Sequence, residues 1–181
     1  MDEARVIAKV KAGTLDAFGE IVEHYQAPIV RYLYRLTGDS EVARDLAQDT
    51  FLQAYRGILK TRSDLSLKAW LYKIATNNAR QYHRRRRVLS FVPFFDTEKP
   101  GVPEPRAAPD HTDERLAIEE TPLQVSEEKR ACLVLHFVEG LRYREIGEIL
   151  GITEEAVRKR VARGSEDFRR AYRRQEDESN E

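Results

Sequence analysis

The chain has 181 residues, 41% hydrophobic and 34% charged, with 31 basic and 31 acidic side chains and a formal net charge of zero. That length suits one large domain or two small ones, and the polar share favours small helical units over one deep core. The single cysteine excludes an internal disulfide and fits a reducing cytoplasm, the start MDEARVIAKV does not read as a signal peptide, and no apolar run is long enough to span a membrane.

In chain order, Val6, Ile7 and Val10 share the face of a first helix that Gly13 ends. Thr14 is placed to cap a second helix carrying Leu15, Phe18, Ile21, Val22 and Tyr25; Pro28 can bend it before Ile29, Leu33 and Leu36, and Gly38 stops it. Ser40 is the expected cap of a third helix, with Ala43, Ala47, Phe51, Ala54 and Ile58 on one face. The loop KTRSDLSL then leads into AWLYKIATNNARQYHRRRR, from position 69, a helical run ending in four arginines. In it Leu71, Ile74, Ala75, Asn78 and Tyr82 follow core spacing, while Trp70, Lys73, Asn77, Gln81 and Arg84 form a neighbouring face.

Residues 91–122 hold six of the seven prolines, so neither a long helix nor a strand fits them. They read as a linker whose apolar start, FVPFF, docks on another surface. Beyond it, Ser126 can cap a helix carrying Ala131, Leu135 and Val138 and ended by Gly140. YREIGEIL is a short helix, Gly151 supplies a tight turn, and Thr153 caps a last helix, EEAVRKRVARGSEDFRRAYRR. The expected fold is all-α: two small helical domains, 1–90 and 123–174, joined by a Pro-rich acidic linker, 91–122, and followed by an acidic tail, 175–181.

The charges follow this division. Residues 1–90 carry 16 basic and 10 acidic side chains, 91–122 carry 3 and 8, 123–174 carry 12 and 9, and the tail carries four acids and no base. Two basic blocks separated by an acidic segment are more informative about the partner than the zero total.

YREIGEILGITEEAVRKRVARG has the form of a helix-turn-helix, with Gly147 where two helices touch, Gly151 in the turn, and Ile146, Leu150, Ile152, Val157 and Val161 as the internal wall. Its second helix would expose Glu155, Arg158, Lys159, Arg160 and Arg163, side chains that suit the phosphates and base edges of a DNA major groove. In the N-terminal block no acid occurs between 65 and 90. Aromatics and amides beside cations are what unpaired bases require: stacking, base-edge hydrogen bonds and phosphate neutralisation. Trp70 and Tyr72 fit a core role equally well. Arg84, Arg85, Arg86 and Arg87 are too crowded to be at ease without an anion nearby.

With these residues in view, DLAQDTF at 45–51, WLYKIATN at 70–77 and EGLRYREIGEILGITEEAVRKRVARG at 139–164 resemble the extracytoplasmic-function (ECF) sigma factors of bacterial RNA polymerase, in the family's order and at its spacing. The resemblance implies that Asp45, Gln48, Asp49 and Leu52, which share one helical face, bind the clamp helices of the polymerase largest subunit; an ordinary solvated face would look the same in composition. It implies that Trp70, Lys73, Asn77, Gln81, Arg84 and Arg85 contact the −10 element, that loop 61–67 captures a flipped base, and that Arg158, Lys159, Arg160 and Arg163 read the −35 element. The family usually has Ala where this chain has Gly147, and a small hydroxyl residue followed by Thr-Val where this chain has Ala156 before Val157. The acidic linker suits a basic polymerase channel, and equally a disordered spacer.

The implied partners are core RNA polymerase, promoter DNA and an anti-sigma factor, with no lipid or small-molecule substrate. A helix-turn-helix regulator acting without polymerase would account for 139–174 but leaves DLAQDTF and WLYKIATN without a purpose. An enzyme is not expected. The four histidines, 24, 83, 111 and 136, lack metal-ligand spacing, Cys132 lies in an apolar helix, and there is no P-loop or nucleotide-binding glycine motif. No catalytic residue, metal or cofactor is therefore assigned.

Overall fold

The computed structural model describes residues 1–14, 16–60, 66–89 and 125–179, which form helices without strands. In order these are α1 (Glu3–Lys11), α2 (Asp16–Thr37), α3 (Ser40–Ile58), α4 (Leu67–Leu89), α5 (Glu127–Leu133), α6 (Tyr143–Leu150) and α7 (Glu154–Ser179), with a π-helical turn over Val134–Val138 continuing α5. The chain divides into two compact units, Met1–Pro100 and Gly101–Glu181. The linker 91–122, with its FVPFF start, and loop positions 61–65 lie outside the described residues, as do Leu15, Asn180 and Glu181. No helix among the described residues is long and apolar enough to cross a membrane.

In the first unit α2 and α3 pack most extensively, and α4 lies against both. The reason is in the side chains. Ile21, Ile29, Leu33 and Leu36 of α2 are buried opposite a helix whose inward face carries Ala43, Ala47 and Ala54, and such small residues let two helices approach closely. Phe51 and Ile58 complete the face, as the spacing predicts. Pro28 lies inside α2, which runs unbroken from Asp16 to Thr37. Helix α1 ends in a Schellman arrangement: Thr14 N–H donates to Lys9 O (3.1 Å), Gly13 N–H to Val10 O (3.0 Å), and Gly13 takes φ +90°.

The cap of α3 is not Ser40. Asp39 takes the extended cap conformation, and its Oδ1 accepts from Glu41 N (2.9 Å) and Val42 N (3.1 Å). Ser40 is the first helical residue. Both residues are good caps by type. Asp39 wins because Gly38, at φ +74°, turns the chain just before it. The α2 end is fastened at the same corner by the Thr37 hydroxyl, which donates to Leu33 O at 2.9 Å.

In the second unit α5 and α6 each pack on α7. Ser126 occupies the N-cap position of α5, but its hydroxyl makes no cap bond. Glu139 N–H reaches back five residues to Val134 O (3.0 Å), the bond that defines the π turn, and Gly140 (φ +69°) then redirects the chain. Thr153 does cap α7, its Oγ1 accepting from Ala156 N at 3.2 Å. Helix α7 continues past Arg174 to Ser179, so five residues of the acidic tail are helical.

Candidate functional site

Two faces of the first unit are exposed. On α3, Asp45, Gln48, Asp49 and Leu52 are all exposed, Leu52 at 47%. Asp45, Gln48 and Asp49 make no hydrogen bond or ion pair among the described residues. Helical spacing brings the four onto one stripe, two acids and an amide with one apolar side chain at its end.

On α4, Lys73, Asn77, Gln81, Arg84 and Arg85 are exposed, and none of them has a hydrogen-bond or ion-pair partner among the described residues. Arg86 is half-buried and Arg87 is exposed. The helix has no acid in its first turn. A row of donors and amides on a helix without a carboxylate is positioned for an acceptor-rich polyanion. Trp70 is half-buried, and its six-membered ring lies over Gly57 of α3: a Cβ added at Gly57 would come within 3.0 Å of the indole Cζ2. Trp70 therefore combines a packed edge with a partly open one. Tyr72 is fully buried, with its ring edge-on to Tyr32 at 5.1 Å, and belongs to the core. Ile74 and Tyr82, expected inside, are half-buried at the edge of that core.

The buried side of α4 holds its open side in place. Asn78, 5% exposed, donates from Nδ2 to Thr50 Oγ1 (3.1 Å) and accepts at Oδ1 from Gln53 Nε2 (2.9 Å). One side chain thus ties α4 to two successive turns of α3. Two helical turns of α4 are likewise fixed to α2. The Thr76 hydroxyl donates to Tyr72 O (2.7 Å), so its single proton is spent and the Tyr32 hydroxyl is the donor in their 2.8 Å bond. His83 Nε2 reaches Leu36 O at 3.2 Å and must carry the proton, since a carbonyl only accepts.

In the second unit α6, the turn and α7 form the helix-turn-helix. Ile146, Leu150, Val157 and Val161 are buried; Ile152, in the turn, is half-exposed. A Cβ on Gly147 would stand 2.7 Å from Ile152 O, so the close crossing demands glycine here, and Gly151 (φ +69°) makes the turn. Along α7, Arg158, Lys159 and Arg163 are exposed. Arg158 and Lys159 lean on Glu154 (3.4 Å) and Glu155 (2.8 Å) one turn back, solvated pairs that hold the cations lightly. Arg163 has no ion-pair partner among the described residues. Arg160 differs: it is half-buried and reaches across to Glu128 of α5 at 2.8 Å. Next to that contact, Lys129 donates to Asp167 at 2.5 Å, and this hydrogen bond holds the Asp167 carboxyl below the usual carboxylate range. The exposed cations are thus Arg158, Lys159 and Arg163, while Arg160 belongs to the seam between α5 and α7. Its spacing alone places Arg160 with the others; only the position of Glu128 separates it.

The comparisons with known proteins bear on both units. The family model described as Sigma-70 region 2 matches residues 21–88, and the one described as Sigma-70, region 4 matches residues 115–167. Over 180 residues the chain is 31% identical to the ECF RNA polymerase sigma factor SigW of Bacillus subtilis, covering 92% of this chain and 95% of that protein. It is 32% identical over 164 residues to the RNA polymerase sigma factor CarQ of Myxococcus xanthus, covering 89% and 92%. Among solved structures the fold is similar to that of the sigma factor RpoE of Bartonella quintana, solved in complex with the anti-sigma factor NepR. There the TM-score is 0.70 at 20% identity, covering 88% of this chain and 98% of that one.

Proposed function

Because the chain belongs to the ECF sigma factors of the sigma-70 family, and so is an RNA polymerase sigma factor, we propose a division of labour among its exposed faces. The α3 stripe Asp45, Gln48, Asp49 and Leu52 docks on core polymerase. The α4 row Trp70, Lys73, Asn77, Gln81, Arg84 and Arg85 takes the −10 element as it opens. Arg158, Lys159 and Arg163 of α7 hold the −35 duplex, with Arg160 bracing the helix that presents them. The protein works by binding rather than by catalysis, in the cytoplasm where polymerase and promoter meet.

The observation that carries this reading is the junction of α3 and α4. On the outward faces Asp45, Gln48, Asp49, Lys73, Asn77, Gln81, Arg84 and Arg85 are exposed, with no side-chain partner among the described residues, while the inward faces are joined by Asn78, Thr50 and Gln53. A surface for the enzyme and a surface for DNA are therefore parts of one rigid pair. Amides aimed outward can meet the Watson–Crick edges of bases only after those bases unpair, whereas the arginines at the helix end serve phosphates at any stage. An anti-sigma factor is a further partner in this reading, since the similar Bartonella quintana protein was solved in complex with one.

The test separates the two faces. Asp49→Arg should weaken pull-down of core polymerase and leave the helical circular dichroism intact. Asn77→Ala should assemble normally with core yet open promoter DNA less well on permanganate footprinting. If both variants bind core and open DNA as wild type does, these faces have other uses.

A further inference from the structure

Helix α1 lies ahead of the region that the family model matches, residues 21–88, so nothing in that match gives it a task. Its first residue supplies something α4 lacks. Glu3 is half-buried; its Oε1 accepts from the Tyr25 hydroxyl at 2.6 Å, and its Oε2 accepts from Leu67 N–H, the first residue of α4, at 3.0 Å. A helix start leaves its first backbone N–H groups without internal partners and carries a partial positive charge. In α4 the local residue Ser66 serves one of them, its Oγ accepting from Ala69 N at 3.3 Å. The first is served from 64 residues away by a carboxylate, and α4 has no acid of its own in that turn. Tyr25 is 6% exposed and fixes the carboxylate from the other side.

We propose that Glu3 is a positioning residue for promoter opening: the N-terminal helix clamps the start of the DNA-facing helix through the Tyr25–Glu3–Leu67 bridge. This inference rests on the proposed role of α4. Two bonds to one carboxylate settle where the α4 axis begins relative to α1 and α2, so the Asn77 amide is presented in one place rather than several. Aspartate would be one methylene too short to span both donors. Glutamine can still accept from Leu67 N–H through its carbonyl while its amide donates to the phenol oxygen, but without the charge that suits the helix start.

The test uses the full chain assembled with core polymerase and two DNA probes, a single-stranded oligonucleotide from the melted region of a transcribed promoter and the upstream duplex of the same promoter. Glu3→Ala should weaken single-strand binding by about fivefold, the equivalent of one lost helix cap, and leave upstream duplex binding within about twofold, the variation expected of a distant, uncoupled site. Glu3→Gln should fall between Glu3→Ala and wild type, and Tyr25→Phe, which keeps the ring but frees the carboxylate, should resemble Glu3→Ala. If Glu3→Ala melts too readily to assay, Tyr25→Phe and Glu3→Gln carry the test alone. Asn77→Ala is the control. Loss of strand binding in Asn77→Ala but not in the Glu3 or Tyr25 variants overturns the positioning role, whereas strand binding unchanged in all of them overturns the reading of α4 itself.

Discussion

Asn77 and Asn78 are adjacent in the chain and about 100° apart around α4, as any two successive helical residues are. Asn77 faces outward without a partner among the described residues, and Asn78 faces Thr50 and Gln53 of α3. Their alanine variants should therefore fail in different ways. Asn78→Ala strips a buried partner from Thr50 and should cost about 1–2 kcal/mol of stability in the first unit, read as a lower denaturation midpoint. Asn77→Ala should leave that midpoint in place and change only DNA opening. Tyr25 gives a second residue-level expectation. Burial, together with the hydrogen bond and the charge of Glu3, pushes its phenol well above the ordinary value of 10.0. A group whose folded pKa is raised contributes stability below its unfolded pKa and loses it as pH rises toward the folded value. Stability should thus decline above about pH 10, and Tyr25→Phe should lack that component of the alkaline loss. A Tyr25→Phe protein with the wild-type alkaline profile would show that the phenol titrates normally.

At the scale of the element, helix faces were legible from spacing and long-range partners were not. The alanine face of α3, the turn at Gly151 and the cap at Thr153 follow from periodicity and residue type, because each depends on neighbours within a few positions. The α3 cap illustrates the limit. Asp39 and Ser40 are equivalent by type, and the choice depends on where Gly38 turns the chain, so Asp39→Ala should cost about 1 kcal/mol while Ser40→Ala stays within about 0.5 kcal/mol. Arg160 and Glu3 show the same limit over longer distances, since Glu128 and Leu67 are their partners only once the helices pack. The π turn at 134–138 has no signal in residue type that we can identify. In the helix-turn-helix, Gly147→Ala would drive a Cβ against Ile152 O. It should cost about 1–3 kcal/mol by overpacking, seen as early melting of the second unit. Arg158→Ala and Arg163→Ala should instead leave melting unchanged and reduce duplex affinity, the slope of log affinity against log salt falling by about one for each phosphate contact removed. Melting shifts without any change in salt slope would place those arginines outside the DNA interface.

For the whole molecule, the zero net charge is a sum over segments of opposite sign. Basic side chains gather on α4 and α7, and acids gather on the exposed stripe of α3, in residues 91–122 and after Arg174. What a polyanion meets is the local field, which weakens over roughly a Debye length of about 8–10 Å in physiological salt. A neutral chain can therefore hold DNA on one face and present acids to a protein on another. Arg84→Ala with Arg85→Ala should weaken binding to promoters of any sequence and flatten the salt dependence, while leaving base preference alone.

In the proposed function, this chain confers initiation on RNA polymerase through the α3 and α4 faces. The most direct measurement is run-off transcription from fragmented genomic DNA by purified core polymerase, alone, with the wild-type chain, and with Asp49→Arg. Discrete transcripts are expected with the wild-type chain, none with core alone, and a strong reduction with Asp49→Arg that a higher concentration of the variant partly restores. Equal transcription with and without the chain would contradict it.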